Sequence, residues 1–102
     1  MDLIFWRHAE AFDPVEGQDD LTRVLTPKGE KQAKRMAAWL DRQLPIGVRV
    51  LVSPATRTEQ TALALNRKFK LRDELVPDAE VDQVLLAAGW PDAKMPVLIV
   101  GH

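Results

Sequence analysis

Three short, strand-like runs punctuate this chain: Asp2–Trp6, Val48–Val52 and Met95–Val100. Each is rich in β-branched, aliphatic or aromatic residues and too short for a helix. Their apolar residues are largely contiguous rather than alternating with polar ones, as expected of strands covered on both faces. Between them lie stretches in which apolar residues recur with helical spacing. Buried strands separated by amphipathic helices are the grammar of an α/β layered domain with a largely parallel sheet.

The helix boundaries carry local signals. Thr26-Pro27 reads as an N-cap followed by proline at the first helical position. Ala33, Met36, Ala37, Leu40 and Leu44 then mark one buried face, and Pro45 and Gly47 end the helix. Ser53-Pro54 repeats the start signal, which predicts a helix to about Lys68 with Thr58, Ala62, Leu65 and Phe69 inward. A short extended segment is expected within Leu71–Pro77. Asp78 is placed to cap a third helix with Val81, Val84, Leu85 and Ala88 inward, closed by Gly89 in a left-handed cap and a Gly89-Trp90-Pro91 turn. Ala9–Leu25, with Pro14, Gly17 and Asp19-Asp20, shows no period and reads as a loop. Loops of this length in compact domains are usually functional or disordered.

At 102 residues the chain is one domain at most. Fourteen basic and 15 acidic residues give a formal charge of −1, so the electrostatic footprint of a nucleic-acid binder is missing. The chain has no cysteine, which excludes disulfides, thiolate catalysis and cysteine-ligated metal within it. No secretory signal and no membrane-length apolar run is read. The expectation is a soluble, cytoplasmic monomer with no nucleic-acid or membrane partner.

Both histidines of the chain, His8 and His102, follow strand-like runs. Ligands of open parallel sheets bind in the crevice beyond the carboxyl ends of the strands, so one sheet would bring both imidazoles to one pocket. Arg7 accompanies His8. Arg57 falls in the first turn of the second helix, where free N–H groups and the macrodipole attract anions; its planar fork suits phosphate oxygens. Each residue alone has a plainer reading: a surface Arg-His pair, an exposed helix arginine, a serine cap at Ser53. Together they suit a phosphate held by cations with a histidine nucleophile. Such a nucleophile must be neutral at neutral pH, as an ordinary histidine mostly is. One nitrogen must keep its lone pair while the other donates, for which a nearby backbone carbonyl is the expected acceptor. A two-histidine metal site competes, with Glu10 or another acid of the long loop as a third ligand, but Arg7 and Arg57 would repel a dication; no metal or cofactor is expected.

Four blocks make the pattern specific. Phe5-Trp6-Arg7-His8-Ala9-Glu10 resembles the R-H-G signature of the histidine phosphatase superfamily, with Ala9 in place of glycine. Leu25-Thr26-Pro27-Lys28-Gly29-Glu30-Lys31-Gln32-Ala33 resembles its L-T-x-x-G-x-x-Q-A block, Ser53 to Ala62 its S-P-x-x-R-x-x-Q-T-A block, and Val97 to His102 its strand ending in G-H. The pattern looks most like the small bacterial SixA-type branch, which lacks large insertions. The resemblance implies a three-layer α/β/α sandwich of the phosphoglycerate-mutase-like type. It implies His8 as the phosphorylated nucleophile, with Arg7, Arg57 and His102 holding the phosphoryl group. Arg23 and Ser53 are further candidate contacts. Larger relatives use an acid to protonate the leaving group; Asp78, Glu80 and Asp82 fall in that region. Relatives continue past the G-H, so residues 1–102 are read as a histidine phosphatase domain missing its C-terminal part.

The activity the resemblance implies is metal-independent phosphoryl removal through phospho-His8, with phosphohistidine in a partner protein as substrate. Two alternatives remain at this level: a small phosphomonoester as substrate, and an inactive module that binds a phosphorylated ligand.

Overall fold

The structure, a computed structural model, describes residues 3–89 and 95–102. Within these it has strands β1 (Leu3–Arg7), β2 (Arg49–Val52), β3 (Lys70–Leu71) and β4 (Val97–Gly101), and helices α1 (Pro27–Gln43), α2 (Thr56–Leu63) and α3 (Val81–Ala88). Single 3₁₀ turns cover Asp20–Thr22 and Asp73–Leu75. The strands form one parallel sheet in the order β1-β4-β2-β3.

That order explains the layers. The chain moves one way across the sheet from β1 to β2 to β3, then returns to insert β4 between β1 and β2. Right-handed crossovers put the helices of outward and returning moves on opposite faces. Accordingly, Ala37 and Leu40 of α1 and Ala62 of α2 pack with Trp6, Val50, Val52, Leu98 and Val100 on one face. Ala87 and Ala88 of α3 pack with Leu51, Val97 and Ile99 on the other. The fold is therefore a three-layer α/β/α sandwich. β4 is buried along its whole length, because both its edges are paired and both its faces covered. Phe5, on the α3 side of β1, is 62% exposed. Among the described residues no helix is long and apolar enough to cross a membrane.

The register positions the site. Arg7 lies opposite Gly101 and Val52 opposite Val100. His8 N donates to Gly101 O (3.0 Å) and Ser53 N to Val100 O (3.0 Å). The residues leaving β1, β2 and β4 at their carboxyl ends thus emerge side by side.

Local expectations hold where the signal is local. Thr26 caps α1 by accepting from Gly29 N (2.9 Å), with Pro27 at the first helical position. Gly89 closes α3 in the left-handed region (φ 71°). Elsewhere the fold departs. Ser53 does not cap α2, whose N-cap is Ala55; its hydroxyl is used in the site instead. α2 stops at Leu63 rather than near Lys68, and Asn66 turns the chain with a positive φ of 56°, a conformation asparagine tolerates. The extended segment expected within Leu71–Pro77 is the two-residue β3 at its edge, followed by a 3₁₀ turn. Glu80, not Asp78, sits at the N-cap of α3. Met36 and Val81 face solvent, since the sheet leaves neither a facing layer. The remainder of the Gly89-Trp90-Pro91 turn, and Asp2 of the first strand, lie outside the described residues.

Candidate active site

His8 is carried on the first turn out of β1. Its Nδ1 lies 2.7 Å from the Ala9 carbonyl oxygen. A carbonyl only accepts, so Nδ1 carries the proton and Nε2 keeps its lone pair. Partial burial, opposed by that bond and reinforced by Arg57, Arg7 and Arg23, holds the His8 pKa below the usual histidine value. The ring is neutral at neutral pH, the form a nucleophile requires.

The backbone beside it is pinned. Ala9 N donates to Thr61 Oγ1 (3.1 Å), and Thr61 Oγ1 donates to Arg57 O (2.8 Å). Glu10 N donates to Gln32 Oε1 (3.1 Å), and Glu10 O accepts from Thr26 N (3.0 Å). Gly29 lies under the Glu10 peptide, and a Cβ there would sit 2.9 Å from the Glu10 carbonyl carbon. Leu25 N donates to Gln60 Oε1 (2.8 Å), tying the end of the loop to α2. The loop from Ala9 folds back so that Ala11 pairs antiparallel with Leu25. Thus Gln32 and Thr61 hold the peptides next to the nucleophile, and Gln60 holds the far end of the loop. Each stands in a recognisable sequence block, though nothing in its own residue type announces that task.

His102 lies beside His8, with ring centroids 5.4 Å apart and planes at 61°. Its Nε2 is 2.7 Å from Ser53 Oγ, and its Nδ1 is 3.4 Å from Arg57 Nη2. A guanidinium only donates, so Nδ1 accepts, and Nε2–H donates to Ser53. Partial burial first, then Arg57 and His8, lower the His102 pKa to about 4.

Arg57, in the first turn of α2, is only 2% exposed. Nη1 donates to Asp20 O (2.7 Å) and Nη2 to Asp20 Oδ2 (2.9 Å). Its Nε is buried with no hydrogen-bond partner among the described residues, an unsatisfied donor of the kind that costs free energy unless a ligand takes it. Arg23 donates from Nε to Asp20 Oδ1 (3.0 Å) and from Nη1 to Phe12 O (2.9 Å). Arg57, then Arg23, hold the Asp20 carboxyl below the usual carboxylate range. The composition of the loop offered no signal for Asp20, since an aspartate in an aperiodic segment reads first as a turn residue.

Arg7, His8 and Arg23 line a cavity of about 430 Å³ with Ala9, Glu10, Ala11 and Gln32. The structure therefore brings Arg7, His8, Arg23, Ser53, Arg57 and His102 to one end of the sheet. It does not bring the three candidate acids into hydrogen-bond contact with them: Asp78, Glu80 and Asp82 are exposed, and the Glu80 backbone N–H donates to Gln83 Oε1 (3.4 Å). Glu10 accepts from the Thr26 hydroxyl (2.7 Å). Among the described residues no three His, Asp or Glu side chains cluster as metal ligands would. Chemically the arrangement is a cationic pocket around a neutral imidazole with one free nitrogen.

Known proteins share both pattern and shape. Residues 3–82 match the model of the histidine phosphatase superfamily (branch 1). The chain is 33% identical to the phosphohistidine phosphatase SixA of Escherichia coli, covering all of this chain and 67% of that protein. A structure of a putative SixA from Nakamurella multipartitia superposes with a TM-score of 0.81 at 38% identity, over 98% of this chain and 58% of that one. A SixA complexed with tungstate gives 0.82 at 29% identity, over 100% and 69%. The chain thus spans about six- to seven-tenths of the length of these relatives.

Proposed function

The chain belongs to the histidine phosphatase superfamily, branch 1, and on that premise we propose that it removes phosphoryl groups from phosphohistidine in a partner protein through a phospho-His8 intermediate. The observation that carries this reading is the His8 tautomer, with Nδ1–H committed to the Ala9 carbonyl and Nε2 left as a lone pair. In the first step Nε2 attacks phosphorus and the bond from phosphorus to the substrate imidazole breaks, the substrate ring leaving as a neutral imidazole because its other nitrogen carries a proton. In the second, water attacks the phosphoryl group on His8, giving inorganic phosphate and returning the ring to its neutral form.

Transfer of this kind depends mainly on positioning and charge stabilisation. Arg7, Arg23 and Arg57 supply the positive field at His8, and the unsatisfied Nε–H of Arg57 is a ready donor for a phosphoryl oxygen. An imidazole leaves more easily than an alkoxide, which fits a site to which Asp78, Glu80 and Asp82 make no hydrogen bond. The similarity to proteins named phosphohistidine phosphatases supports this substrate class over a small phosphomonoester.

The test is phosphate release from a phosphohistidine-bearing carrier domain, with chelator present, by this chain and its His8→Ala variant. Release by the first and none by the second is expected. Turnover by a clean His8→Ala preparation would remove His8 as nucleophile, and retained phosphate affinity without turnover in either protein would identify a binding module.

A further inference from the structure

Arg57 is almost wholly buried, and a buried guanidinium is costly unless paired. Among the described residues the carboxylate that pairs with it is that of Asp20, 37 positions away on the 3₁₀ turn of the β1–α1 loop. The pairing is unusual in form. Asp20 meets Arg57 twice, with its backbone oxygen on Nη1 and its carboxylate Oδ2 on Nη2, and spends its other carboxylate oxygen on Arg23. One residue thereby fixes two arginines that both act on His8.

A planar guanidinium has two edges able to grip an oxyanion with two parallel N–H groups. Asp20 fills the edge made by Nη1 and Nη2. The edge made by Nε and Nη2 carries no oxyanion: Nε is buried without a partner among the described residues, and Nη2 makes a 3.4 Å hydrogen bond to His102 Nδ1. The carboxylate is therefore a clamp rather than an occupant of the phosphoryl site. The turn bearing it is itself braced, because Asp19 Oδ1 accepts from Leu21 N (3.0 Å) and Asp19 O from Thr22 Oγ1 (2.7 Å).

We propose that Asp20 is a positioning residue, which clamps Arg57 by one edge and Arg23 by its Nε so that the Nε–Nη2 edge of Arg57 is held in place for a phosphoryl oxygen beside His8. The proposal rests on the phosphatase reading for its substrate, but not for its binding prediction.

The experiment compares the chain with its Asp20→Ala and Asp20→Asn variants in three readouts: inorganic phosphate binding, KM and kcat for phosphate release, and the NMR resonance of the Arg57 Nε–H. Loss of a charged hydrogen-bond partner is expected to weaken phosphate binding and raise KM by about tenfold or more in Asp20→Ala. The effect on kcat should be smaller, and the Arg57 Nε–H signal should move or broaden. Asp20→Asn keeps the backbone acceptor and one side-chain oxygen, so it should lie between the two. Phosphate binding that is unchanged or tighter in Asp20→Ala overturns the clamp, as does an Arg57 signal that does not move in either variant. If the native chain releases no phosphate yet binds it in an Asp20-dependent way, the clamp stands and the phosphatase reading falls. Normal turnover with no dependence on Asp20 overturns the clamp and leaves the phosphatase reading standing.

Discussion

Replacing Gly29 by alanine tests the coupling between α1 and the nucleophile loop. The new Cβ would overlap the Glu10 carbonyl oxygen and sit 2.9 Å from its carbon and 3.1 Å from Glu10 N. Carbon atoms pack comfortably at about 3.5–4.0 Å, so the Glu10 peptide must retreat by roughly 1 Å. Backbone cannot rotate away as a side chain does, and it carries the bonds to Thr26 N and Gln32 Oε1. Overpacking of this kind costs about 1–3 kcal/mol. A weakened hydrogen bond adds about 1 kcal/mol, and the better helix propensity of alanine returns about 1 kcal/mol at most. The net is a loss of about 2 kcal/mol, or roughly 8–16 °C in the melting midpoint of a domain this size. The displaced peptide adjoins Ala9, whose carbonyl sets the His8 tautomer, so phosphate release should fall as well. Thermal unfolding with a parallel phosphate-release assay measures both. A midpoint equal to or above that of the native chain, with undiminished activity, refutes the reasoning.

Arg57→Ala should cost on the order of 2–4 kcal/mol in the barrier, by analogy with loss of one oxyanion donor; steady-state kinetics within twofold of the native chain would take Arg57 out of the site. The acid limb of kcat/KM should lie below the ordinary histidine value, because a nucleophilic ring with a lowered pKa stays neutral further into acid. An NMR titration of His8 giving a value at or above 6.5 would contradict this.

The similarity in shape to SixA structures suits a site assembled almost entirely from strand ends. His8, Ser53 and His102 each directly follow the last residue of a strand, so the parallel register itself sets their spacing. Arg57 comes from the helix that follows β2, and its charge is balanced by a loop that folds back over the same end. The rigid sheet supplies the geometry, and the loop supplies the counter-charge.

Much of this was written in short-range signals. A cap, a proline at the first helical turn, a glycine in the left-handed region and a helical or strand-like period all act within a few residues. The sequence by itself therefore determined the alternation of strands and helices, the Thr26 start of α1, the Gly89 stop of α3 and the placement of both histidines just past strands. Only the tertiary structure decided the rest. Inserting β4 between β1 and β2 made neighbours of His8 and His102. The same packing drew the Ser53 hydroxyl to His102 instead of leaving it to cap α2, turned Met36 and Val81 to solvent, and joined Asp20 to Arg57. The physical reason is one of range: propensity and capping are local energies, whereas pairing a buried charge is settled by whichever partner the fold brings within about 3 Å, and no periodicity records that partner in advance.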